Sequence, residues 1–342
     1  MPFLHYLKQA AGRQDLTPEE AEAAMHAILN GQVSATRIAG FLVALRMKGE
    51  TTSELVGFAR AMRGMAAKID AGLAGKPLVD TCGTGGDGAG TFNISTVAAF
   101  VVAGAGVHVA KHCNRSITGP AGGGSADLLE SLGIPMPMPL DLAARAIREV
   151  GIGFLFAPAV HSAMKHAQPV RIDLGMRTVF NLLGPLTNPA GADAQVVGTP
   201  SEKDAELIAG ALAELGLRHG FVVHGSDGLD EITTTGPTLA FEVSDGKAHR
   251  RLLEPEDFAL KRARPEDLAG GSKGRNHQIA LMVLGGERGP QRDIVLVNAA
   301  AALVAAGLVP TFLEGMAIGA VSIDSGAARR KVEELARVTL EA

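Results

Sequence analysis

Aromatic residues are scarce in this 342-residue chain, which contains no tryptophan, one tyrosine and 12 phenylalanines. Sites for single-stranded nucleic acid usually rely on exposed aromatic side chains that stack on the bases. The chain also lacks a basic excess, since 32 Lys and Arg residues face 36 Asp and Glu residues and the formal net charge is −4. The composition therefore argues against a nucleic acid or an anionic membrane as partner.

Cysteine is equally rare, and Cys82 and Cys113 do not form a C-x-x-C pair. Two isolated thiols argue against a disulfide or zinc framework and predict a reducing, cytoplasmic location. The first residues show no basic segment followed by an apolar one, so we expect no signal peptide. The most apolar window, 294–309, contains Asn298 and stops at Pro310. It predicts a buried helix rather than a membrane span.

Glycine, in contrast, is abundant, with 43 residues or about 13% of the chain, where globular proteins average about 7%. The glycines follow no three-residue repeat, which excludes a collagen-like chain. Five of them lie between positions 83 and 90, and three more occupy 122–124. The excess is therefore partly concentrated in two short stretches.

The pattern of apolar residues changes near position 74. Residues 1–73 predict helices, with Thr17 and Pro18 as one helix start. Beyond Pro77, short apolar runs alternate with helical stretches, which predicts a mainly parallel sheet covered by helices. We therefore expect a small helical domain over 1–73 and a large α/β domain over 74–342. The apolar runs lie at 78–80, 107–110, 153–156, 194–198 and 221–224.

The loops that follow these predicted strands are the most informative, because ligands of parallel sheets bind beyond the carboxyl ends of the strands. The first loop, 81–92, is rich in glycine and precedes a helix that starts near Asn93 or Ser95, as in a phosphate-binding loop. It fits G-x-G-x-x-G, but Asp87 and the strand ending in Lys111 disfavour a dinucleotide. We expect a more highly charged phosphate ligand with metal ions.

Two further loops carry charges of opposite sign. Residues 111–125 combine Lys111 and Arg115 with a glycine run, which indicates a second anion contact. Asp230 and Glu231 follow another predicted strand. Adjacent acids there are either a solvated turn or ligands of Mg²⁺, which takes one or two carboxylates together with substrate phosphates.

Taken in order, these motifs, the predicted helix 161–171 and the stretch 181–189 resemble the anthranilate phosphoribosyltransferase family over nearly the whole chain. The resemblance implies a nucleoside phosphorylase/phosphoribosyltransferase-like fold, with part of 168–185 packed on the helical domain. It implies transfer of the phosphoribosyl group of 5-phosphoribosyl 1-pyrophosphate, the donor, to the amine of anthranilate in tryptophan biosynthesis. It also implies release of pyrophosphate, Mg²⁺ as cofactor with two ions per subunit, and a homodimer paired through the helical domains.

The resemblance also implies which residues bind and react. It assigns catalysis to Lys111, His112, Asn114 and Arg171. It assigns anthranilate binding to Gly83, His112, Asn114, His161 and Arg171, and metal binding to Ser95, Asp230 and Glu231. It assigns donor binding to Gly83, Gly86, Asp87, Thr91, Asn93, Ile94, Ser95, Thr96, Lys111, Asn114, Arg115, Ser116, Thr118, Gly119, Gly123 and Ser125.

The chain departs from the family pattern in two places. Cys113 stands where the family usually has glycine, and the loop 118–125 is two residues longer and has no basic residue. This altered loop predicts weaker donor binding than is usual in the family. Two alternatives remain open from the sequence, a pyrimidine-nucleoside phosphorylase and a non-catalytic relative that binds nucleic acid. The pairs Asn114–Arg115 and Asp230–Glu231 favour the transferase over the phosphorylase.

Overall fold

Four helices begin the computed structural model of the chain, which describes residues 3–115 and 124–341. They are α1 (Leu4–Ala11), α2 (Pro18–Leu29), α3 (Ala35–Lys48) and α4 (Thr52–Met65). The predicted cap at Thr17 is confirmed: its hydroxyl accepts from the backbone N–H of Glu20, whose carboxylate accepts from the Thr17 N–H. This reciprocal pair satisfies two backbone donors that the first turn of α2 leaves open.

The same cap recurs on α4, where Thr51 and Glu54 exchange hydrogen bonds. Glu54 is fully buried. Its carboxylate also accepts from the Leu16 backbone N–H and from Lys48 Nζ, each at 3.0 Å. A buried carboxylate needs such partners, so Glu54 ties the two interhelical loops to the bundle.

A seven-stranded sheet forms the centre of the remaining chain, in the order β3-β2-β1-β4-β5-β6-β7. The first five of its strands in the chain are parallel, which confirms the predicted mainly parallel sheet. The last two add on as an antiparallel hairpin. The strands are β1 (Leu78–Asp80), β2 (His108–Cys113), β3 (Ile152–Phe156), β4 (Ala194–Gly198), β5 (His219–Gly225), β6 (Thr238–Ser244) and β7 (Lys247–Leu253).

The β6–β7 hairpin is absent from the sequence prediction. Every residue of β7 except Leu253 is exposed, so the strand carries no apolar run. Its basic residues Lys247, Arg250 and Arg251 lie on the outer edge of the sheet. Charges on an edge strand discourage pairing with a further strand.

Helices cover both faces of the sheet. The expected helix 294–309 is confirmed as α13, which is largely buried and begins and ends four residues earlier. None of the helices within 3–115 and 124–341 is long and apolar enough to cross a membrane. The helices are α5 (Ile94–Gly104), α6 (Ser125–Ser131), α7 (Leu140–Glu149), α8 (Ala157–Val160), α9 (Gln168–Leu174), α10 (Phe180–Leu183), α11 (Glu202–Glu214), α12 (Lys273–Leu284), α13 (Pro290–Ala305), α14 (Phe312–Asp324) and α15 (Ala327–Leu340).

The single helix expected over 161–171 is divided in the structure. After α8, a 3₁₀ helix spans Ser162–His166, and α9 begins at Gln168. Pro169 lies at the start of α9, where its missing N–H is tolerated, although the same ring disfavours a helix that runs through it. His161 and Arg171 therefore belong to separate elements.

Two apolar clusters hold the layers together. The first joins α5 and α13 to β1, β2 and β3. The second joins the helical bundle to parts of 167–186, to α11 and to residues of β4, β5 and β6. Because the second cluster is shared between the bundle and the sheet, the predicted division at 73/74 remains a prediction.

The chain direction across the sheet reverses between β1 and β4. From β1 the chain proceeds outward through β2 and β3, whereas β4 and β5 extend to the other side. Such a reversal opens a crevice beyond the carboxyl ends of the central strands, because the two adjacent loops turn away from each other. The fold thus brings the loops after β1, β2, β4 and β5 to one edge.

The packing of α2 against α4 gives a stability prediction. A Cβ atom on Gly57 of α4 would lie 2.1 Å from the carbonyl oxygen of Pro18. We expect Gly57→Ala to force the two helices apart and to lower the free energy of unfolding by about 1–3 kcal/mol.

Gly64→Ala, on the same helix, is the matched control because nothing lies within 4 Å of its Cβ position. It should raise stability by about 0.5 kcal/mol through the reduced entropy of the unfolded chain. Urea unfolding of the two variants measures both effects. Equal behaviour of the two variants would contradict the packing account.

Candidate active site

Three strand-end loops meet in direct backbone contact at the crevice. The Thr84 N–H, after β1, donates to the carbonyl of Gly198 at the end of β4, at 2.8 Å. A Cβ atom on Gly198 would lie 1.5 Å from the carbonyl oxygen of Asp230, in the loop after β5. A Cβ atom on Gly83 would lie 3.0 Å from Asp230 Oδ2. Glycine at both positions therefore permits the three loops to touch.

The glycine-rich loop after β1 is shaped by left-handed backbone. Gly85, Gly86, Gly88 and Gly90 all have φ between 65° and 83°, which side chains other than hydrogen rarely permit. The Gly85 N–H donates to Asp230 Oδ2 at 3.0 Å. The loop thus presents backbone to the crevice instead of side chains.

Arg177, between α9 and α10, reaches this loop from the opposite side. Its Nη1 donates to the carbonyl oxygen of Gly85 at 2.7 Å, and its Nη2 lies 3.9 Å from an oxygen of Asp204. A Cβ atom on Gly86 would lie 2.0 Å from Arg177 Nη1. Glycine at position 86 therefore makes room for a guanidinium that holds the shape of the loop.

The loop leads into α5, whose first turn contains four of the predicted donor-binding residues, Asn93 to Thr96. The side-chain oxygen of Asn93 accepts from Asn276 Nδ2 at 3.2 Å, so α12 braces the start of the helix. Thr91 forms a single β-bridge with Ala269. A helix start attracts anions, and here the Ser95 N–H donates to the Glu231 carboxylate, while the Thr96 and Val97 N–H groups donate to the Asn93 carbonyl oxygen.

Three carboxylates crowd one side of the crevice. Asp87 is hydrogen-bonded to Asp230, and Glu231 Oε1 accepts from the Ser95 N–H at 3.1 Å. Burial, and then the negative charge of Asp87, raise the pKa of Asp230 to about 7. Burial, and then the charge of Asp230, raise the pKa of Glu231 to about 8.

Among the described residues, Lys111 supplies the positive charge that acts on Asp230 and Glu231. It lies on β2, its side chain is almost completely buried, and its Nζ donates to the carbonyl oxygen of Thr81. Its charge lowers the pKa of Asp230 and Glu231, but burial and mutual repulsion outweigh it. A set of hard oxygen ligands with unbalanced negative charge fits Mg²⁺.

A second polar cluster surrounds His112, the next residue on β2, whose side chain points to the other face. Asp80 Oδ2 lies 3.3 Å from His112 Nδ1, and His112 Nε2 lies 3.3 Å from His161 Nε2. His161 Nε2 also lies 3.3 Å from Thr187 Oγ1. Burial, and then the proximity of His112, lower the pKa of His161 to about 3.

Asp80, Cys82 and His112 lie close enough together for their ligand atoms to share a metal ion. The carboxylate is already committed, since it accepts from the His112 backbone N–H and from Asn188 Nδ2. Burial, and then the negative charge of Asp80, raise the pKa of the Cys82 thiol. A protonated thiol and an occupied carboxylate are poor ligands, so this cluster is better described as a hydrogen-bond network.

The loop after β2 is described in part. The Asn114 N–H donates to Ser125 Oγ at 3.1 Å, which joins the two ends of the loop. Arg115 is paired with Asp127 and Glu130 of α6, so its guanidinium is engaged on that helix. The predicted donor contacts Ser116, Thr118, Gly119 and Gly123, and most of the two-residue-longer loop, lie outside the described residues.

Arg171 of α9 lies apart from the two polar clusters. Its guanidinium stands over the ring of Phe180, with 5.4 Å between the carbon Cζ and the ring centroid, and Nη1 donates to Gln168 Oε1. An arginine held over an aromatic ring still has N–H groups that can bind a carboxylate.

Several residues of the site receive no role from the sequence, although Thr187 and Asn188 lie in the stretch 181–189 that carries part of the family resemblance. Asp80, Arg177, Thr187 and Asn188 all contact predicted residues or their loops. Asp80 carried a usable signal, because an acid at the end of a buried strand needs a partner. Arg177, Thr187 and Asn188 are brought in only by the tertiary fold.

Comparison with known proteins places this geometry in a family. The helical bundle domain of a glycosyl transferase family matches residues 4–66, and the a/b domain of that family matches residues 75–329. The fold and the two family matches therefore define a glycosyltransferase with a helical and an α/β part. A helical bundle domain followed by an a/b domain also matches the helical first part and the mainly parallel sheet of this chain.

The relatives narrow the class. The chain is 69% identical to an anthranilate phosphoribosyltransferase of Solibacter usitatus, over 98% of each chain. It is 53% identical to that of Symbiobacterium thermophilum, over 97% of this chain and 96% of the relative. The crystal structure of the Thermus thermophilus enzyme is 45% identical, with a TM-score of 0.92 and coverage of 98% of this chain and 99% of its own. The chain belongs to the anthranilate phosphoribosyltransferase family.

This result confirms the family predicted from the sequence motifs and supports neither the phosphorylase nor the nucleic-acid-binding alternative. A Saccharomyces cerevisiae anthranilate phosphoribosyltransferase, solved in complex with PRPP and Mg, is 29% identical with a TM-score of 0.89. The match covers 99% of this chain and 98% of the yeast chain.

The crowded carboxylates predict a pH-dependent loss of stability. In the unfolded chain, Asp and Glu lose their protons near pH 4, whereas Asp230 and Glu231 retain theirs to about pH 7 and about pH 8 when folded. The native state binds more protons between these limits, so stability falls as the pH rises through them.

We expect the free energy of unfolding of the double variant Asp230→Asn with Glu231→Gln to lack this decrease with rising pH. Amide oxygens can still accept from the Gly85 and Ser95 N–H groups. Relative to wild type, the variant should gain at least about 1.4 kcal/mol between pH 5 and pH 8.5 in metal-free buffer, the equivalent of one pKa unit in one group. Urea unfolding at both pH values measures the gain. A stability difference that is the same at both pH values would refute the explanation.

Proposed function

We propose residue roles for the reaction of this family, in which the phosphoribosyl group of 5-phosphoribosyl 1-pyrophosphate is transferred to the amine of anthranilate. The reaction releases pyrophosphate and belongs to tryptophan biosynthesis. The convergence of a glycine-rich loop, a helix start and three carboxylates at one crevice carries the proposal. That convergence suits a ligand with many phosphate oxygens.

The donor occupies the crevice next to the glycine-rich loop. Gly83, Gly86, Asp87 and Thr91 belong to this loop, and the positive end of the α5 dipole attracts phosphate at Asn93 to Thr96. Lys111 adds a fixed positive charge. Asn114 and Ser125 bind the donor from the loop after β2. Arg115 binds it after it releases Asp127 and Glu130 of α6. The proposal also includes four residues outside the described ranges, Ser116, Thr118, Gly119 and Gly123.

Ser95, Asp230 and Glu231 would hold Mg²⁺, with two ions per subunit. The yeast relative was solved with PRPP and Mg together. The carboxylates fit this role because they repel one another and supply hard oxygen ligands. Bound Mg²⁺ would neutralise charge on the pyrophosphate oxygens.

Anthranilate binds on the side of His112 and His161, with Gly83 and Asn114 between the two substrates. Arg171 receives the carboxylate as a bidentate partner. The yeast enzyme also binds 4-fluoroanthranilate, in a structure 28% identical with a TM-score of 0.87. His112 and His161 are buried, so the amine lies in a site with little water.

These residues accelerate the reaction mainly by orienting the substrates and by stabilising the charge of the leaving group. Departure of pyrophosphate leaves positive charge on the ribose and concentrates negative charge on the leaving group. Lys111 and the backbone N–H groups stabilise that negative charge without reorganising. An aromatic amine is already a nucleophile, so holding it against C1 contributes more than a strong base would.

The same variant that tests the carboxylate pKa values tests the function. We expect wild type to form fluorescent phosphoribosyl anthranilate in the presence of Mg²⁺ and to lose this activity in EDTA. Asp230→Asn with Glu231→Gln should reduce turnover at least about 100-fold, because both charged ligands are removed.

The control is Glu333→Gln with Glu334→Gln, a second pair of adjacent acids, which form surface ion pairs on α15. It should leave turnover within about two-fold of wild type, since exposed ion pairs contribute little. Turnover near wild type in the Asp230 and Glu231 variant would remove these residues from the metal role. No product from wild type would reject the function.

A homodimer through the helical bundle is part of the proposal. Leu4, Met47, Ile172 and Met176 expose large apolar side chains, and Met47 and Ile172 are 72% and 66% exposed. Leu4 lies on α1, Met47 lies on α3, Ile172 lies on α9, and Met176 follows α9. Helix α3 contacts both α1 and α9. Neighbouring exposed apolar residues are typical of an interface. A cytoplasmic location belongs to the same proposal.

Sedimentation velocity tests the dimer. We expect wild type to sediment as a dimer and Met47→Glu with Ile172→Glu to sediment as a monomer, because charges cannot be buried in the interface without partners. Val321→Glu on α14, where Val321 is also 66% exposed, should leave the dimer intact. A dimer that survives both changes at Met47 and Ile172 would place the interface elsewhere.

A further inference from the structure

A continuous chain of polar groups crosses the buried region beside the crevice, from Asp80 through His112 and His161 to Thr187. Asp80 is 1% exposed. Its carboxylate accepts from the His112 backbone N–H at 3.2 Å and from Asn188 Nδ2 at 2.6 Å. Asn188 also donates to the carbonyl of Ala110, which fixes the amide. The position of the carboxylate is thus determined from two directions.

The protons of the first ring follow from Asp80. A carboxylate at 3.3 Å from His112 Nδ1 can only accept, so Nδ1 carries the proton. A neutral His112 then has a lone pair on Nε2, and that atom faces His161 Nε2 at 3.3 Å. One donor is needed between two ring nitrogens, so His161 must supply it.

The contacts of Thr187, at the other end of this series of polar groups, also place a proton on His161 Nε2. Its hydroxyl oxygen lies 2.9 Å from the carbonyl of Leu183 and 3.1 Å from that of Gly184. Carbonyls only accept, so the hydroxyl proton is committed to them. The lone pair of Thr187 Oγ1 therefore faces His161 Nε2, and this contact also requires a proton on His161 Nε2.

The opposite arrangement fails at one contact. If His112 carried both ring protons and donated to His161 Nε2, that nitrogen would be unprotonated and its lone pair would face the lone pair of Thr187 Oγ1. The two rings are nearly parallel, with 5.5 Å between their centroids, so a charge on either would be felt by the other. Burial, which lowers the pKa of His161, acts in the same direction.

We propose that Asp80 is a positioning residue that fixes both histidines as neutral tautomers, with the proton on His112 Nδ1 and on His161 Nε2. This leaves His161 Nδ1 unprotonated and able to accept from an N–H group, such as that of an aromatic amine. That anthranilate donates to His161 Nδ1 rests on the proposed function. The assignment of the two tautomers does not rest on it.

Nitrogen NMR of the full chain labelled with ¹⁵N-histidine tests the tautomers without any activity. His112→Gln and His161→Gln identify the two signals by their loss. At about pH 7.5 without substrates, we expect a protonated Nδ1 and a bare Nε2 for His112, and the reverse for His161. The opposite tautomer or a doubly protonated ring at either position would overturn the proposal.

Kinetics test the consequence. In Asp80→Asn, an amide replaces the obligate acceptor, so we expect the His112 tautomer signal to change and the KM for anthranilate to rise at least about 10-fold. The KM for the donor should stay within about two-fold. Asp141→Asn, an exposed acid at the start of α7, is the control and should change neither value. An unchanged anthranilate KM in Asp80→Asn would reject the positioning role.

Thr187→Val provides a second route if Asp80→Asn does not fold. It removes the acceptor for the His161 proton at nearly constant volume, and we expect the same selective rise in the anthranilate KM. A rise confined to the donor KM would overturn the proposal. Wild type that shows the expected tautomers but makes no phosphoribosyl anthranilate would instead reject the proposed function and leave the Asp80 assignment standing.

Discussion

The close approach of three backbone segments at Gly83, Gly198 and Asp230 is the contact on which the site depends. The reversal of chain direction between β1 and β4 opens the crevice, but the loops close around it only because Gly83 and Gly198 have no side chain. From that contact follow the hydrogen bond from Gly85 to Asp230 and the placement of Glu231 against the start of α5. The glycine-rich loop and the carboxylates are thus held in place by the same contact.

This arrangement keeps like charges together at the expense of stability. Burial and neighbouring negative charges oppose the ionisation of Asp230 and Glu231, which lie beside Asp87, and Lys111 is the one cation among the described residues whose charge acts against this. On the other face of β2, the buried His112 and His161 lie in a hydrogen-bonded cluster, and burial lowers the pKa of His161. Two adjacent residues of one strand, Lys111 and His112, therefore belong to two different clusters, since side chains alternate along a strand.

Much of this could be read from the sequence. The βα alternation predicted the parallel strands, and the glycine-rich loop, Lys111 and the Asp230–Glu231 pair were recognised as one family pattern. The β6–β7 hairpin was missed because β7 has no buried apolar face. The roles of Arg177, Thr187 and Asn188 could not be predicted, although the last two lie in the family stretch 181–189, because each contacts a partner far away in the sequence and no local spacing reveals it.

The substitution Gly83→Ala tests the central claim most directly, because its Cβ would press on Asp230 Oδ2 at 3.0 Å and on the Gly198 carbonyl at 3.1 Å without demanding left-handed backbone. Calorimetric titration with 5-phosphoribosyl 1-pyrophosphate and Mg²⁺ is the measurement, with Gly64→Ala as the control. The account predicts a donor Kd raised by about 10-fold or more in a folded protein, equivalent to about 1.4 kcal/mol. Wild-type donor affinity in folded Gly83→Ala protein would contradict it.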